Sequence, residues 1–142
     1  MNGNPETYRG AVAAWQTDFF GHLNVRHYVG MFDEATWNFF AAFGVTRDWF
    51  VDSNLGIFAV RHEIDYRREL HAGDVVVVTS SLLELGERKL WVEHRLREAV
   101  SGEEAAVMVL VAVCVDRGSG RSCPIPDDIR ARAREMLAVG AS

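Results

Sequence analysis

The segment from Val25 to Phe43 is apolar around most of its circumference, and its apolar residues recur with the period of a helix. The main stripe consists of Val25, Tyr28, Val29, Phe32, Ala35, Phe39 and Phe43, and Met31, Trp37, Phe40, Ala41 and Ala42 lie off it. A helix of this kind must be covered on more than one face. Asn24 is predicted to be its N-cap, and Gly44 is predicted to end it.

After this helix the chain changes to the two-residue period of β-strands. From Ile57 to Arg67, mostly apolar or aromatic residues alternate with charged ones, which predicts a half-buried strand. Further strands are predicted over 8–15, 75–85, 89–99 and 105–115, and a short helix over 127–137. The strand over 105–115 is apolar on both faces, which is typical of a central strand.

The order of these segments predicts an α+β fold in one domain, residues 1–142. Short turns join the later strands, so neighbouring strands should be antiparallel. The sheet must cover its apolar face, and the long helix is the available cover, with the sheet curled around it. One such layer leaves a strand edge and an open side, so we expect a homodimer or homotetramer.

Charge and cysteine content exclude several classes of protein. The net charge of −5 argues against a broad nucleic-acid surface. No run of 18 apolar residues is present, and the first ten residues do not resemble a secretory signal. Cys114 and Cys123 have neither a metal-binding nor a CxxC spacing, which predicts free thiols in a reducing, cytoplasmic setting.

The stretch "TDFFGHLNVRHYVGMFDEA", residues 17–35, places Asp18 and His22 in a glycine-containing loop directly before the long helix. An aspartate here is most often a cap or a loop hydrogen-bonding residue. The alternative is a catalytic carboxylate, because the N-terminus of a helix offers unpaired amides that can polarise a carbonyl. Gly21 would let the backbone approach a substrate closely.

The motif and the order of the segments together resemble the hotdog-fold acyl-CoA thioesterases of the 4-hydroxybenzoyl-CoA thioesterase-like family. The matching residues are Asp18, Gly21, His22, Leu23, Asn24 and Tyr28, and "DYRRELHAGD", residues 65–74, resembles the strand-turn-strand segment of the family. Val25 stands where many members have a second Asn. Members that cleave acyl carrier protein thioesters have an Asn between the Asp and the His, and this chain has none there.

The resemblance implies an acyl-CoA thioesterase in which Asp18 is a general base or a nucleophile. Backbone amides around Gly21 to Asn24 would bind the thioester carbonyl, and His22 would shape the loop or contact the thioester. Tyr28 would line the substrate pocket. Taken alone, Asn24 is better explained as a cap and Tyr28 as a pocket wall.

Other candidate residues lie on the predicted strands. His62 or Glu63 would assist catalysis, since their strand can face the site of a partner subunit in this family, whereas His94 is interpreted as a core histidine. Arg67, Arg68, Arg88 and Lys89 would bind the phosphates of coenzyme A or form a solvated rim. His22, His27 and His62 have poor spacing for a metal, so neither a metal nor another cofactor is expected.

The acyl group is expected to be short or aromatic, because bulky aromatic walls would exclude a long chain. The aromatic residues considered are Trp37, Phe40, Trp49, Phe50 and Phe58. Two alternatives remain open from the sequence. One is a hotdog enoyl-CoA hydratase or dehydratase, and the other is a hotdog protein that binds acyl-CoA without turnover.

Overall fold

The computed structural model describes residues 4–138 as one antiparallel sheet with three α-helices. The elements are β1 (Glu6–Ala11), α1 (Val25–Ala42), α2 (Arg47–Ser53), β2 (Leu55–Tyr66), β3 (Val75–Leu85), β4 (Lys89–Glu98), β5 (Glu104–Asp116), β6 (Arg121–Ser122) and α3 (Asp127–Arg134). The strand order is β1-β3-β4-β5-β2, and the short β6 pairs with β5. The predicted central strand is confirmed, because β5 lies between β4 and β2.

Helix α1 supplies the centre of the core. Phe32, Ala35 and Phe39 on this helix are completely buried, together with inward-facing residues of β3 and β4 such as Leu82 and Leu96. The apolar stripe of α1 faces the sheet, and the apolar face of the sheet faces α1. The two apolar faces are therefore buried against each other. The predicted α+β architecture, a curled sheet covered by one long helix, is confirmed.

Two local predictions were wrong in detail. The first strand ends at Ala11 rather than continuing to residue 15, because a 3₁₀ turn over Ala14–Gln16 follows it. The side chain of Gln16 closes this turn by accepting a hydrogen bond from the amide of Ala13 at 2.8 Å. The connector after α1 contains α2, whose N-cap Thr46 accepts a hydrogen bond from the amide of Trp49.

Strand β2 departs from the predicted half-buried pattern. Residues 58–63 are exposed on both faces, although their sequence alternates. The strand lies at the end of the sheet, where β5 pairs with it on one side and no other strand of residues 4–138 pairs with it on the other. Phe58 and Val60 are therefore apolar residues on an open edge.

Within residues 4–138, no helix is long and apolar enough to cross a membrane. Cys114 is buried on β5 and Cys123 is half-buried, and both are free thiols with their sulfur atoms 3.6 Å apart. The predicted thiol state is thus confirmed, whereas the cytoplasmic location stays a prediction.

Candidate active site

The loop before α1 is closed by its own backbone. The amide of Asp18 donates to His22 O at 3.1 Å, and the amide of Asn24 donates to Gln16 O at 2.9 Å. The amide of Gly21 donates back to Asp18 O at 2.9 Å. Gly21 has a φ of 81°, a left-handed conformation that costs least for glycine. The loop therefore holds Asp18 and His22 in fixed positions beside the start of α1.

Both oxygens of the Asp18 carboxylate accept hydrogen bonds. Oδ2 accepts from Nδ2 of Asn24 at 3.1 Å, and Oδ1 accepts from the amide of Phe20 at 2.9 Å. The bond from Asn24, and then that from Phe20, holds the pKa of Asp18 below its ordinary value. Asp18 is thus a loop hydrogen-bonding residue, and it is also an ionised carboxylate at neutral pH.

Asn24 is the N-cap of α1, as predicted. Its Oδ1 accepts a hydrogen bond from the amide of Arg26 at 3.1 Å. Its Nδ2 is free to turn toward Asp18 because a cap uses only the oxygen. The same side chain therefore begins the helix and orients the carboxylate.

Three of the amides that were expected to bind a carbonyl have acceptors within the protein. Gly21, Leu23 and Asn24 donate to Asp18 O, Leu70 O and Gln16 O, respectively. Within this loop, the amides of Phe19, His22 and Val25 have no protein acceptor among residues 4–138, and of these three residues only His22 and Val25 line the adjoining cleft. Val25 is the first residue of α1, so its amide also lies at the positive end of the helix dipole. The amides of His22 and Val25 could therefore donate to a carbonyl oxygen in the cleft.

A cleft of about 590 Å³ opens beside this loop. Its walls are Asp18, His22, Leu23, Val25, Tyr28, Tyr66, Arg67, Arg68 and Glu69. Tyr28 lines the cleft, its ring packs edge-on against that of Tyr66 at 5.1 Å, and its hydroxyl donates to Arg68 O at 3.2 Å. Burial raises the pKa of Tyr28 to about 12, so the hydroxyl keeps its proton at neutral pH and is a wall rather than an acid.

The four predicted phosphate-binding residues are split between two ends of the sheet. Arg67 and Arg68 line the cleft and pair with Glu104 at 2.8 Å and Glu103 at 3.2 Å. Arg88 and Lys89 lie at the start of β4, whose other end is beside Glu104. Eight residues of strand separate the two ends by about 27 Å. Within one chain, only the first pair is beside Asp18.

His62 and Glu63 also lie outside the cleft. Both are exposed on β2, and His62 is four residues, or about 13 Å, before Tyr66 along the strand. Glu63 pairs with Arg61 at 3.1 Å. Within one chain, neither side chain is near Asp18.

The aromatic residues considered for an acyl pocket are also separate from the Asp18 cleft. Trp37, Phe50 and Phe58 line a different pocket of about 200 Å³, with Arg117 at its rim. Phe40 is buried in the core, and Trp49 packs against Phe50. An acyl group beside Asp18 would therefore meet Tyr28 and Tyr66 instead.

Tyr66, Glu69 and His71 were not chosen from the sequence. The amide of Leu23 donates to Leu70 O at 2.8 Å and so joins the segment after β2 to the loop before α1. This bond is long-range, and no local pattern predicts it. His22, Glu69 and His71 form a cluster whose ligand atoms could hold a metal ion.

Comparison with known proteins agrees with this architecture. The model of the Thioesterase-like superfamily matches residues 12–133. The long-chain acyl-CoA thioesterase FadM of Escherichia coli (strain K12) is 22% identical over 130 residues, which cover 89% of this chain and 95% of FadM. The L-carnitine dehydrogenase/betainyl-CoA thioesterase of Rhizobium meliloti (strain 1021) is 25% identical over 87% of this chain, which spans only 25% of that longer protein.

A thioesterase from Thermus thermophilus, solved in complex with coenzyme A and Zn, has a similar structure. It is 30% identical, with a TM-score of 0.81, and the alignment covers 96% of each chain. The family match extends over most of the sequence, and the similarity to this structure covers nearly all of it. The chain therefore belongs to the Thioesterase-like superfamily and is a hotdog-fold thioester hydrolase.

Proposed function

We propose that this protein hydrolyses acyl-CoA thioesters at the cleft beside Asp18. One observation carries the proposal: an ionised carboxylate is held by Asn24 and Phe20 next to two amides without a protein acceptor. Hydrolysis of a thioester needs a base or nucleophile on one side of the carbonyl and hydrogen-bond donors at its oxygen. The loop provides both within one short segment.

In the proposed reaction, the thioester oxygen accepts hydrogen bonds from the amides of His22 and Val25. These donors and the helix dipole stabilise the negative charge that develops on that oxygen. In one route, Asp18 removes a proton from a water molecule as that water adds to the carbonyl carbon. In the other route, the carboxylate of Asp18 adds to the carbonyl carbon itself and forms an anhydride, which water then cleaves. In either route the C–S bond breaks and coenzyme A leaves with a proton, alongside the free acid.

Arg67 and Arg68 are the proposed contacts for the phosphates of coenzyme A. Both line the cleft, and their side chains are 48% and 34% exposed, so they can reach an anion outside it. A guanidinium group suits a phosphate because its donors can bind two oxygens at once. Glu104 and Glu103 form ion pairs with these groups, and phosphate would compete with them.

The acyl group is proposed to be short or aromatic. The edge-on pair of Tyr28 and Tyr66, with Leu23 and Val25, forms the apolar part of the cleft, and charged or polar side chains line the remainder. A long alkyl chain would lie against charged side chains there. FadM is named for long-chain acyl-CoA substrates, and the Rhizobium relative is named for betainyl-CoA. A long-chain acyl-CoA and betainyl-CoA are therefore both included among the substrates to be tested.

The test is release of free thiol from acetyl-, phenylacetyl-, betainyl- and palmitoyl-CoA by the wild type and by Asp18→Asn. We expect turnover by the wild type and a loss of at least about 100-fold in the variant, since a positioned base contributes about 10²–10⁴. Asp52→Asn, at an exposed position on α2, is the matched control and should retain full activity.

Equal turnover by Asp18→Asn and wild type would refute the role of Asp18. Palmitoyl-CoA as the best substrate would refute the proposed acyl class. Hydration of crotonyl-CoA without thiol release would indicate the hydratase chemistry that the sequence left open.

A further inference from the structure

The bond between Leu23 and Leu70 fixes which side chains face outward around it. Both leucines are buried, at 5% and 0% exposure, and the amide of one donates to the carbonyl of the other. In extended backbone, the neighbours of an inward-pointing residue point to the opposite face. His22 precedes Leu23, and Glu69 and His71 flank Leu70, so all three project to the same outer surface.

These three side chains converge. The ligand atoms of His22, Glu69 and His71 all lie within 4.8 Å of one another. Nε2 of His22 is 3.1 Å from Oε2 of Glu69, and the two imidazole rings are 5.2 Å apart. Two imidazoles and a carboxylate form a donor set that zinc prefers.

The orientation of His71 also suits a metal ligand. Its amide donates to Oδ2 of Asp74 at 2.8 Å, and its Nδ1 is 3.9 Å from the same oxygen. This arrangement places a carboxylate on the Nδ1 side of the ring and leaves Nε2 for a metal. Histidines that bind metals commonly donate their second ring N–H to a carboxylate, and a small rotation of the exposed His71 ring would bring Nδ1 within hydrogen-bond distance of Asp74.

We propose that His22, Glu69 and His71 form a binding site for a divalent transition-metal ion of the zinc class. Tetrahedral ligands at about 2.0–2.2 Å from zinc lie about 3.4 Å from one another. The side chains of Glu69 and His71 are 66% and 59% exposed, so small rotations can bring the three atoms to that spacing. A fourth position stays open to water or to a group in the cleft, because His22 and Glu69 line the cleft.

This site differs from the trio considered in the sequence. His27 packs against Trp15, and His62 lies on the exposed edge strand, so neither joins the cluster. The cluster could not be predicted from the sequence because a long-range contact brings His71 close to His22. The proposal does not depend on thioester hydrolysis, since metal binding is measured without substrate.

The test is titration of zinc into the metal-free protein in competition with a chromophoric zinc chelator. Cobalt(II) added in place of zinc should give the visible absorption of a tetrahedral ion. We expect one ion per chain for the wild type and at least tenfold weaker binding for His71→Gln and for Glu69→Gln. His27→Gln is the matched control and should bind zinc like the wild type.

Each other outcome overturns the proposal. If the wild type binds no zinc at micromolar concentration, the site does not exist. If His71→Gln binds zinc as tightly as the wild type, the zinc is bound by other residues. An equal loss in His27→Gln would mean non-specific binding by exposed histidines. Asp18→Asn should bind zinc normally while losing turnover, so failure of this proposal and failure of the proposed catalytic role are separable.

Discussion

The side chain of Asn24 makes two hydrogen bonds with different consequences. Its oxygen accepts from the amide of Arg26 and begins α1, and its nitrogen donates to Asp18 and lowers the pKa of that carboxylate. A change at this residue should therefore affect both stability and the pH dependence of activity. The two effects can be separated because a second helix in the chain has a cap without a catalytic neighbour.

We expect Asn24→Ala to lose about 1 kcal/mol of unfolding free energy, which is a common cost of removing an N-cap. The pKa of Asp18 should rise toward its ordinary value because the donor that lowers it most is gone. The acid limb of the kcat/KM profile should then move to higher pH, since protonated Asp18 is inactive. Urea unfolding and a pH–rate profile measure the two effects.

Thr46→Ala is the matched control, because Thr46 caps α2 through its hydroxyl. It should lose a similar unfolding free energy and leave the acid limb unchanged. An acid limb in Asn24→Ala that coincides with that of the wild type would contradict the proposed link between the cap and the carboxylate.

At the scale of elements, one chain of hydrogen bonds connects β1, β3, β4 and α1 inside the core. Thr36 on α1 donates to Phe32 O and so accepts from Nε2 of His94 at 2.8 Å. Nδ1 of His94 is hydrogen-bonded to Oγ of Ser80 at 2.6 Å, and the hydroxyls of Ser80 and Thr7 are hydrogen-bonded to each other at 2.7 Å. Within residues 4–138, no buried side-chain nitrogen or oxygen lacks a partner. His94 is a satisfied core histidine, as predicted.

This network makes stability depend on pH with a definite sign. Burial, with a smaller contribution from His62, lowers the pKa of His94 from 6.5 to about 3. The unfolded chain therefore binds the proton first as pH falls, and the stability due to neutral His94 is full above about pH 6.5. It declines as pH falls toward about 3, by up to about 1.4 kcal/mol per pH unit.

Urea unfolding at several values between pH 7.5 and 4 should show this decline in the wild type. His94→Gln should have a shallower slope over the same range, and His71→Gln, at an exposed position, should retain the wild-type slope. Identical slopes for wild type and His94→Gln would show that another group controls acid sensitivity.

At the scale of the whole molecule, β2 leaves an open edge twelve residues long. Phe58 is 48% exposed and Val60 is 57% exposed on it. A long apolar edge strand favours pairing with a strand of another molecule. Natural proteins often prevent such pairing by placing a lysine on the edge strand. The predicted homodimer or homotetramer would use this edge, and His62 and Glu63 would then lie at the contact between copies.

We expect the wild type to self-associate in sedimentation velocity and Val60→Lys to shift toward the monomer. Val100→Lys is the matched control, because Val100 is 90% exposed in the turn between β4 and β5, away from that edge. A wild type that stays monomeric at micromolar concentration would contradict the expected assembly.

Local patterns were sufficient for most of the architecture. The limits of α1, β3, β4 and β5 differ from the predicted ones by at most one residue at each end. Asn24 was recognised as a cap because capping involves only neighbouring residues. Burial along β2 was not predictable, since the same alternation is found in strands with and without a covered face.

By itself, the sequence determined the helix, the strands, the cap and the loop that holds Asp18, because each depends on spacing within one segment. The tertiary structure decided which segments meet. The single bond between Leu23 and Leu70 brings Glu69 and His71 to His22. About 27 Å of β4 separates Lys89 from Arg97, which pairs with Glu104 beside Arg67. Such contacts depend on how the sheet closes around α1, which no short stretch of sequence specifies.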